Sequence, residues 1–251
     1  MVCILILILG FVLVKFSAYY SPAVSQQGLR VLKHYDDTIR IGFIGDSWAD
    51  GHKKTKCVID TIVEARIGMP VIVKTTGISG LTSKNVYYSI FRDDSVRSVV
   101  EWGPDFCFVS AGINDSDRKM GVKYYKENMK LIINLLLENH IIPIILEIPS
   151  YNIHFSFRRR SRQIKLRYLL SMLINFSKMD CINDYREAYN ELLDEQHWKD
   201  DVLTIYYTDW NHDGYKDKRK IYDEGQMHLN EKGYLVLDSC IANVIVESLN
   251  K

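Results

Sequence analysis

The feature of this sequence that most constrains its fold is a regular alternation that begins near residue 38. Short runs rich in β-branched residues alternate with longer segments in which apolar residues recur at three- and four-residue intervals. The short runs are IRIGFIG (39–45), VIVKTT (71–76), FCFVSAG (106–112) and IIPIILEI (141–148). Such an alternation predicts an α/β domain built on a parallel sheet with crossover helices. A chain of 251 residues has room for one such domain and an N-terminal extension.

The segments between and after these runs are expected to be helical or to extend the sheet. The predicted helices lie near 55–67, 84–101, 120–139, 157–177, 185–197 and 231–249. Asn230 is suited to cap the last of them, because asparagine is a preferred N-cap residue. The runs 202–208 and 218–222 flank the sequence DWNHDGYKD and predict a hairpin added to the sheet.

The N-terminal end differs from the rest of the chain in being continuously apolar from Val2 to Val14. This run is too short to cross a hydrocarbon layer of about 30 Å, but it matches the apolar region of a signal peptide. If the segment continues to Tyr20, with Lys15 extending its ammonium group to the interface, it forms a short membrane anchor of about 19 residues. A retained anchor, a cleaved signal and a buried helix are all open alternatives.

We therefore expect three regions along the chain. Residues 1–20 are predicted to be a signal peptide or membrane anchor, 21–37 a tether, and 38–251 the folded domain. Either form of the N-terminal segment places the domain in the cell envelope, membrane-anchored or exported. The membrane is then a partner through that segment.

Charge and cysteine content exclude several classes of function. With 32 Lys and Arg against 31 Asp and Glu, the chain has no overall field that would gather nucleic acid. The cysteines have no CxxC or close-paired spacing, so we predict neither a metal site nor a cofactor. Four of them are expected to be buried thiols, with a disulfide as the alternative: Cys57, Cys107, Cys181 and Cys240.

The first predicted strand ends in the sequence Gly45-Asp46-Ser47-Trp48. A serine at this point stands at the carboxyl edge of the sheet, where open α/β folds bind their ligands. Ser47 is a candidate nucleophile only if a general base and an oxyanion site converge on it, because a free hydroxyl is a weak nucleophile at neutral pH. Taken alone, the motif also fits a simple helix-capping turn.

Further polar groups follow the next strands at the same edge. After the second strand, GISGLT supplies Gly80, whose backbone N–H can approach a ligand closely. After the third, GIND supplies the side-chain amide of Asn114, so that these donors and the N–H of Ser47 could form an oxyanion hole. His228 lies just before the last helix and is a candidate base, although a lone histidine there also fits a half-buried capping residue. His52 is close to Ser47 in sequence and is a candidate to line the pocket.

This set of motifs, in this order, resembles the SGNH/GDSL hydrolase superfamily. The resemblance covers about residues 39–249 and rests on four blocks: GDSW, GISGLTS, GIND and MHLNEKGY. It implies a flavodoxin-like three-layer sandwich with a central parallel sheet, preceded here by an N-terminal apolar helix. It also implies an ester hydrolase in which Ser47 attacks an ester carbonyl and His228 takes its proton. The oxyanion would be held by Ser47, Gly80 and Asn114.

The sequence departs from the family at the acid that orients the histidine. That acid usually stands three residues before the histidine, and Gly225 occupies the position here. Asp223 is the candidate of choice, since an extra residue or two in the loop could bring it to the ring. One alternative is that Glu224 is the acid. The other is a Ser-His dyad in which a backbone carbonyl orients the histidine.

The expected reaction is the removal of small acyl groups, such as acetyl, from a carbohydrate or other small-molecule ester. This expectation depends on the exported location and on the lack of a visible lipid-binding lid. An O-acyltransferase that uses the same serine and histidine on an envelope glycan is one alternative. A catalytically inactive glycan-binding module is the other.

Three secondary features each have a plain interpretation and a functional one. Residues 209–217 match the first nine positions of a calcium loop, but the twelfth is Lys220, which favours an ordinary polar turn. The basic run near 158–167 could meet anionic glycans or lipid headgroups, but it is also typical of a solvated helix face. Three aromatic side chains could stack on a sugar or simply pack: Trp48, Tyr151 and Trp210.

Overall fold

The structure is a computed structural model that describes residues 2–15, 17–55 and 57–250. Its described part contains a sheet of five strands in the order β2-β1-β3-β4-β5, all paired in parallel. The strands are β1 (Ile39–Gly45), β2 (Val71–Thr75), β3 (Phe106–Ser110), β4 (Ile142–Leu146) and β5 (Leu203–Ile205). This is the strand order of flavodoxin-like folds, and it confirms the predicted α/β class with a central parallel sheet.

Helices connect the strands and cover both faces of the sheet. They are α1 (Val2–Lys15), α2 (Ser47–Lys54), α3 (Ile59–Ile67), α4 (Ser83–Arg92), α5 (Asp94–Glu101), α6 (Ile113–Arg118), α7 (Val122–Glu138), α8 (Ile153–Arg158), α9 (Arg162–Asn175), α10 (Ile182–Gln196), α11 (Tyr207–Trp210) and α12 (Glu231–Leu249). Helix α3 packs on α12, whereas α7 packs on α4 and α10. Because parallel connections are right-handed, these two groups lie on opposite faces.

The strands in the middle of the sheet, β1 and β3, have few polar residues because they lie in the core. All five residues of β3 are buried, as are six of the seven in β1, because both strands are covered on each face. The aromatic rings of Phe43 on β1 and Phe108 on β3 contact each other across neighbouring strands, with centroids 4.8 Å apart. The carboxyl halves of β1 and β3, which lead to the loops at this edge, are therefore packed against each other.

The predicted hairpin at 202–222 is wrong. Leu203 to Ile205 pair in parallel with β4 as the fifth strand, and the chain then turns into the short helix α11. In the 218–222 run, the only bridge recorded is the antiparallel pair Tyr222 and Leu229. The exposed edge of β4 can accept a further parallel strand, and a connection of helices from β4 to β5 makes that pairing possible.

The predicted helix near 84–101 is divided in two at Asp93. The carboxylate of Asp93 accepts hydrogen bonds from the N–H groups of Ser95 at 3.0 Å and Val96 at 3.1 Å. An aspartate that caps a helix in this way starts a new helix, because it satisfies N–H groups that have no partner within the helix. Apolar periodicity alone does not reveal the break.

The N-terminal helix α1 carries large apolar side chains that are mostly exposed. Its contact with the domain is made on α9 and the residue after it, where the rings of Phe11 and Phe176 lie 6.4 Å apart. None of the helices within the described ranges combines the length and apolarity needed to cross a membrane. The predicted tether has no helix or strand but hydrogen-bonds to the domain, for example from Ala23 N to Asn128 Oδ1 at 2.8 Å.

Candidate active site

Ser47 is the first residue of α2, immediately after the turn that ends β1. The turn is tight because Gly45 has a φ of +146°, and a Cβ there would come within 2.3 Å of the Ser110 carbonyl oxygen. Glycine is therefore required for the end of β1 to lie so close to the end of β3. The turn directs Ser47 to the carboxyl edge of the sheet, as the sequence predicts.

Asp46 and Ser110 hold this turn in place from inside the protein. The fully buried Asp46 carboxylate accepts hydrogen bonds from the Trp48 N–H at 3.0 Å and the Ser110 hydroxyl at 3.1 Å. Ser110 also accepts a bond from the Ala49 N–H at 3.2 Å. Ser110 is a part of the site that the four sequence motifs do not include. Its position at the end of a buried strand, next to the glycine-containing turn, was the available signal.

Burial raises the pKa of Asp46 from 3.8 to about 7, despite its hydrogen-bond donors. The folded state thus retains a proton that the unfolded state releases, so this group's contribution to stability falls as the pH rises from about 4 to about 7. We expect Asp46→Asn to gain stability relative to the wild type over that interval, on the order of 1–4 kcal/mol. Urea unfolding at several pH values measures the difference.

The control for this measurement is Asp213→Asn, which makes the same substitution at a side chain that is 64% exposed. If the free energies of unfolding of Asp46→Asn and the wild type differ by the same amount at every pH, Asp46 has the same pKa in the folded and unfolded states.

His228 is held beside Ser47 by a short closed loop. Its Nε2 lies 2.9 Å from Ser47 Oγ, although the two residues are 181 positions apart in sequence. The loop is closed by the Tyr222–Leu229 bridge and by a hydrogen bond from Asp223 N to the His228 carbonyl at 2.9 Å. This distance is within reach for proton transfer from the serine to the imidazole.

Asp223 lies on the other side of the imidazole ring. Its Oδ2 is 3.7 Å from His228 Nδ1, and both side chains are about 40% exposed, at 40% and 39%. The contact is longer than a hydrogen bond. The residue with left-handed backbone geometry in this loop is Gln226, with a φ of +52°. The amide of Asn152 donates a bond to the Gln226 side chain at 2.7 Å and braces this bend.

The proposed oxyanion donors lie on the loops that follow β2 and β3, next to the turn that carries Ser47. Gly80 has a φ of +81°, and its loop is tied to the nucleophile turn by a bond from Ile78 N to the Gly45 carbonyl at 3.0 Å. The Asn114 amide donates to the Leu81 carbonyl at 3.0 Å and lies 3.4 Å from Asp46 Oδ2. Asn114 therefore faces the nucleophile turn and the Gly80 loop.

Several other predicted contributors lie away from this site. His52 does not line the pocket, because it lies on the buried face of α2 among core aromatic rings. The three aromatic residues considered for sugar stacking are also buried, and Trp48 packs edge-on against Trp210 at 5.9 Å. Residues 209–217 form α11 and a 3₁₀ turn, where Asp217 pairs with Arg219. The five cysteines are free thiols.

The fold and the geometry together define an α/β enzyme with a serine and a histidine paired at the carboxyl edge of a parallel sheet. The sequence model of the GDSL-like lipase/acylhydrolase family matches residues 43–236, so the chain belongs to that family. It is an ester hydrolase of the SGNH/GDSL superfamily, in agreement with the motifs. No curated protein sequence matches the chain.

Solved structures with the same fold are distant in sequence. The lipase/acylhydrolase from Enterococcus faecalis is 17% identical, with a TM-score of 0.58 over 83% of this chain and 96% of that one. A psychrotrophic esterase from Pseudoalteromonas sp. is 14% identical, with a TM-score of 0.57 over 86% and 100% of the two chains. An acetyl xylan esterase is 16% identical, with a TM-score of 0.57 over 82% and 100%. These similarities establish the fold.

Proposed function

We propose that this ester hydrolase uses Ser47 as its nucleophile to remove small acyl groups, such as acetyl, from a carbohydrate or other small ester. The observation that carries the proposal is the 2.9 Å contact between Ser47 Oγ and His228 Nε2 at the carboxyl edge of the sheet. The name of one structural neighbour, an acetyl xylan esterase, supports the acetyl part.

In the proposed reaction, the Ser47 hydroxyl transfers its proton to His228 Nε2 as its oxygen attacks the ester carbonyl. The N–H groups of Ser47 and Gly80 and the amide of Asn114 stabilise the oxyanion. The imidazolium then protonates the departing alcohol, which leaves an acyl group on Ser47. Water, deprotonated by His228, attacks that acyl group. The imidazolium then returns the proton to Ser47 Oγ as the bond to the acyl group breaks and the carboxylic acid leaves.

The experiment that tests this proposal is labelling of the purified protein with a serine-directed phosphonate, followed by turnover of p-nitrophenyl acetate and an acetylated xylan. Labelling at Ser47 with turnover in water supports the hydrolase. Turnover that requires an added sugar acceptor would instead identify an acyltransferase. Failure of Ser47 to react would contradict the proposal and favour a binding module.

Asp223→Asn tests the proposed orienting acid. In a well-studied serine triad the equivalent change costs about 10⁴ in rate, through loss of imidazole orientation and charge stabilisation. The 3.7 Å separation and the exposure of both side chains weaken the interaction here. We therefore expect a smaller loss in kcat, about 10²-fold, measured with p-nitrophenyl acetate.

Glu224→Gln is the matched control for Asp223→Asn and should leave kcat almost unchanged. If Asp223→Asn is equally harmless, a Ser-His dyad is the better description. If Glu224→Gln is the variant that lowers kcat, Glu224 is the acid that orients His228.

A second candidate substrate, an ester with a longer acyl chain, is supported by a cleft of about 1390 Å³ next to Asn114. The cleft belongs to the arrangement in which α1 packs on α9, and its lining includes the apolar Phe11 and Leu170 and the charged Arg118. Cleavage of α1, or its insertion into a membrane, would leave only the wall made by the domain. Comparing kcat/KM for p-nitrophenyl acetate and octanoate separates the two substrates. A preference for octanoate that Leu170→Trp removes, by filling the cleft, would favour the longer chain.

We further propose that the protein acts in the cell envelope, anchored to the membrane or exported through its N-terminal segment. The exposed apolar side chains of α1 support this, as do those of the neighbouring helix α9: Ile164, Leu166, Leu169, Leu170 and Leu173. Five basic residues lie just before α9 or within it: Arg158, Arg159, Arg162, Lys165 and Arg167. Cations beside an apolar surface favour binding to anionic lipid.

Fractionation of cells that express the full chain tests the location. Recovery in the membrane or exported fraction supports it, and recovery wholly in the soluble cytosolic fraction, uncleaved, contradicts it. The α9 contribution is tested with phosphatidylglycerol vesicles, where Leu166→Ser with Leu173→Ser should weaken binding. Leu235→Ser, at an exposed leucine on α12, is the matched control.

A further inference from the structure

One cluster of potential metal ligands lies outside the candidate active site. It brings together His52 on α2, Cys57 after α2 and Asp238 on α12. One ligand atom from each of these residues lies within 4.8 Å of the other two, and His52 Nδ1 is 3.2 Å from Asp238 Oδ1. Asp238 is 186 positions from His52 along the chain, so the cluster could not be predicted from residue spacing in the sequence.

The two most buried members of the cluster have polar atoms without hydrogen bonds. The His52 residue is 1% exposed. Its Nδ1 lies 3.2 Å from Asp238 Oδ1 but does not form a hydrogen bond with it, and its Nε2 has no hydrogen-bond partner. Asp238 Oδ2 accepts a bond from Val58 N at 3.0 Å, whereas Oδ1 has only the contact with His52. Buried polar atoms left unpaired are costly and uncommon, so a ligand between them would remove a penalty.

The surroundings of His52 limit what such a ligand can be. Its ring packs against Phe43 at 5.0 Å and Tyr234 at 4.7 Å between centroids, which leaves no space for an organic group beside the imidazole. A single ion needs no such space.

We propose that His52, Cys57 and Asp238 bind a zinc ion. Nitrogen and oxygen ligands of tetrahedral zinc each lie about 2.0–2.1 Å from the metal, which puts them about 3.3 Å apart. The 3.2 Å between His52 Nδ1 and Asp238 Oδ1 matches this spacing. Water completes the fourth position, and the imidazole and thiolate donors favour zinc over calcium or magnesium.

The charges of the proposed site balance. Zinc binding displaces the Cys57 thiol proton to solvent, so the ion carries two positive charges against one thiolate and one carboxylate. A buried site with no net charge avoids the cost of an unpaired ion. Cys57 lies in the short connection between α2 and α3 and is partly exposed, which gives the metal a route of entry.

The position of the site gives the ion a structural effect. Helix α2 begins at Ser47, and α12 begins three residues after His228, so an ion shared by His52 and Asp238 joins the two helices next to the catalytic pair. His52, Cys57 and Asp238 are therefore positioning residues. The proposal does not depend on the proposed esterase chemistry, because metal binding and stability can be measured without substrate.

The test adds zinc alone to metal-free full-length protein and measures stoichiometry by calorimetry and elemental analysis. We expect about one zinc per chain, and Tm should rise by about 5 °C or more at saturating zinc. Magnesium should have no effect. Cobalt should give a thiolate-to-metal absorption band, which a carboxylate or imidazole alone does not produce.

Two variants and a control decide the ligands. Cys57→Ser and Asp238→Asn should each weaken zinc binding by at least about tenfold, the loss typical when a metal-binding group is disturbed. Cys240→Ser removes a partly exposed thiol of α12 outside the cluster and should bind as the wild type does. If Asp238→Asn fails to fold, Cys57→Ser with the cobalt spectrum decides. No binding, or equal binding in Cys57→Ser and the wild type, would overturn the proposal.

Discussion

Ser47→Ala is expected to lower kcat/KM for p-nitrophenyl acetate by about 10⁴-fold or more, because no other group is placed to form the acyl-enzyme. In a comparable serine hydrolase, loss of the nucleophile alone costs about as much as loss of the whole triad. The Ser47 side chain contacts His228 at the edge of the sheet and does not help to fill the core. The variant should therefore keep its wild-type Tm.

Ser79→Ala is the matched control for Ser47→Ala. Ser79 lies on the loop next to the site, where its hydroxyl donates to Asp50 Oδ2 at 2.9 Å. Its loss should change kcat/KM by less than about tenfold, since the hydroxyl is not aimed at a reacting atom. Substantial turnover by Ser47→Ala, or phosphonate labelling of that variant at another serine, would disprove the assignment of the nucleophile.

Asn114→Ala is expected to have the next largest effect, a loss in kcat of about 10²–10³ with little change in KM. The reason is that an oxyanion donor acts on charge that develops only in the transition state. The amide donates to the Leu81 carbonyl at 3.0 Å and to Asp46 Oδ2 at 3.4 Å, so the longer contact with Asp46 is the one to be exchanged for the oxyanion. Steady-state kinetics and a melting curve on the same preparation measure both effects.

The control for this variant is Asn243→Ala on the outer side of α12, where the asparagine contacts only Arg66 among its recorded hydrogen bonds. It should alter neither kcat nor KM. A rise in KM without loss of kcat in Asn114→Ala would mean that the amide binds the ground state and is not an oxyanion donor.

The fold was largely predictable because its signals are local. The first strand was predicted at 39–45 and is observed as Ile39–Gly45, and the last helix was predicted at 231–249 and is observed as Glu231–Leu249. The prediction failed at 202–222, where the partner of the strand is decided by a distant edge. The apolar pattern of the run at 202–208 does not indicate whether that run pairs with 218–222 or with β4.

The serine, glycine, asparagine and histidine blocks were also predictable, because each follows a strand or precedes a helix. Parallel strands bring their carboxyl ends to one edge, so residues far apart in the chain had to meet there. The sequence could not establish which acid stands beside His228. That depends on the left-handed bend at Gln226 and on the brace from Asn152.

The sequence by itself determined the α/β class, the first four strands and the place of Ser47 at the carboxyl edge of the sheet, because hydrophobic periodicity and strand-ending motifs depend on neighbouring residues. Only the tertiary structure decided the parallel place of β5, the 3.7 Å contact of Asp223 and the meeting of His52, Cys57 and Asp238. The physical reason is that these features depend on contacts between segments far apart in the chain. Their geometry is set by how the helices and loops pack once the sheet has formed.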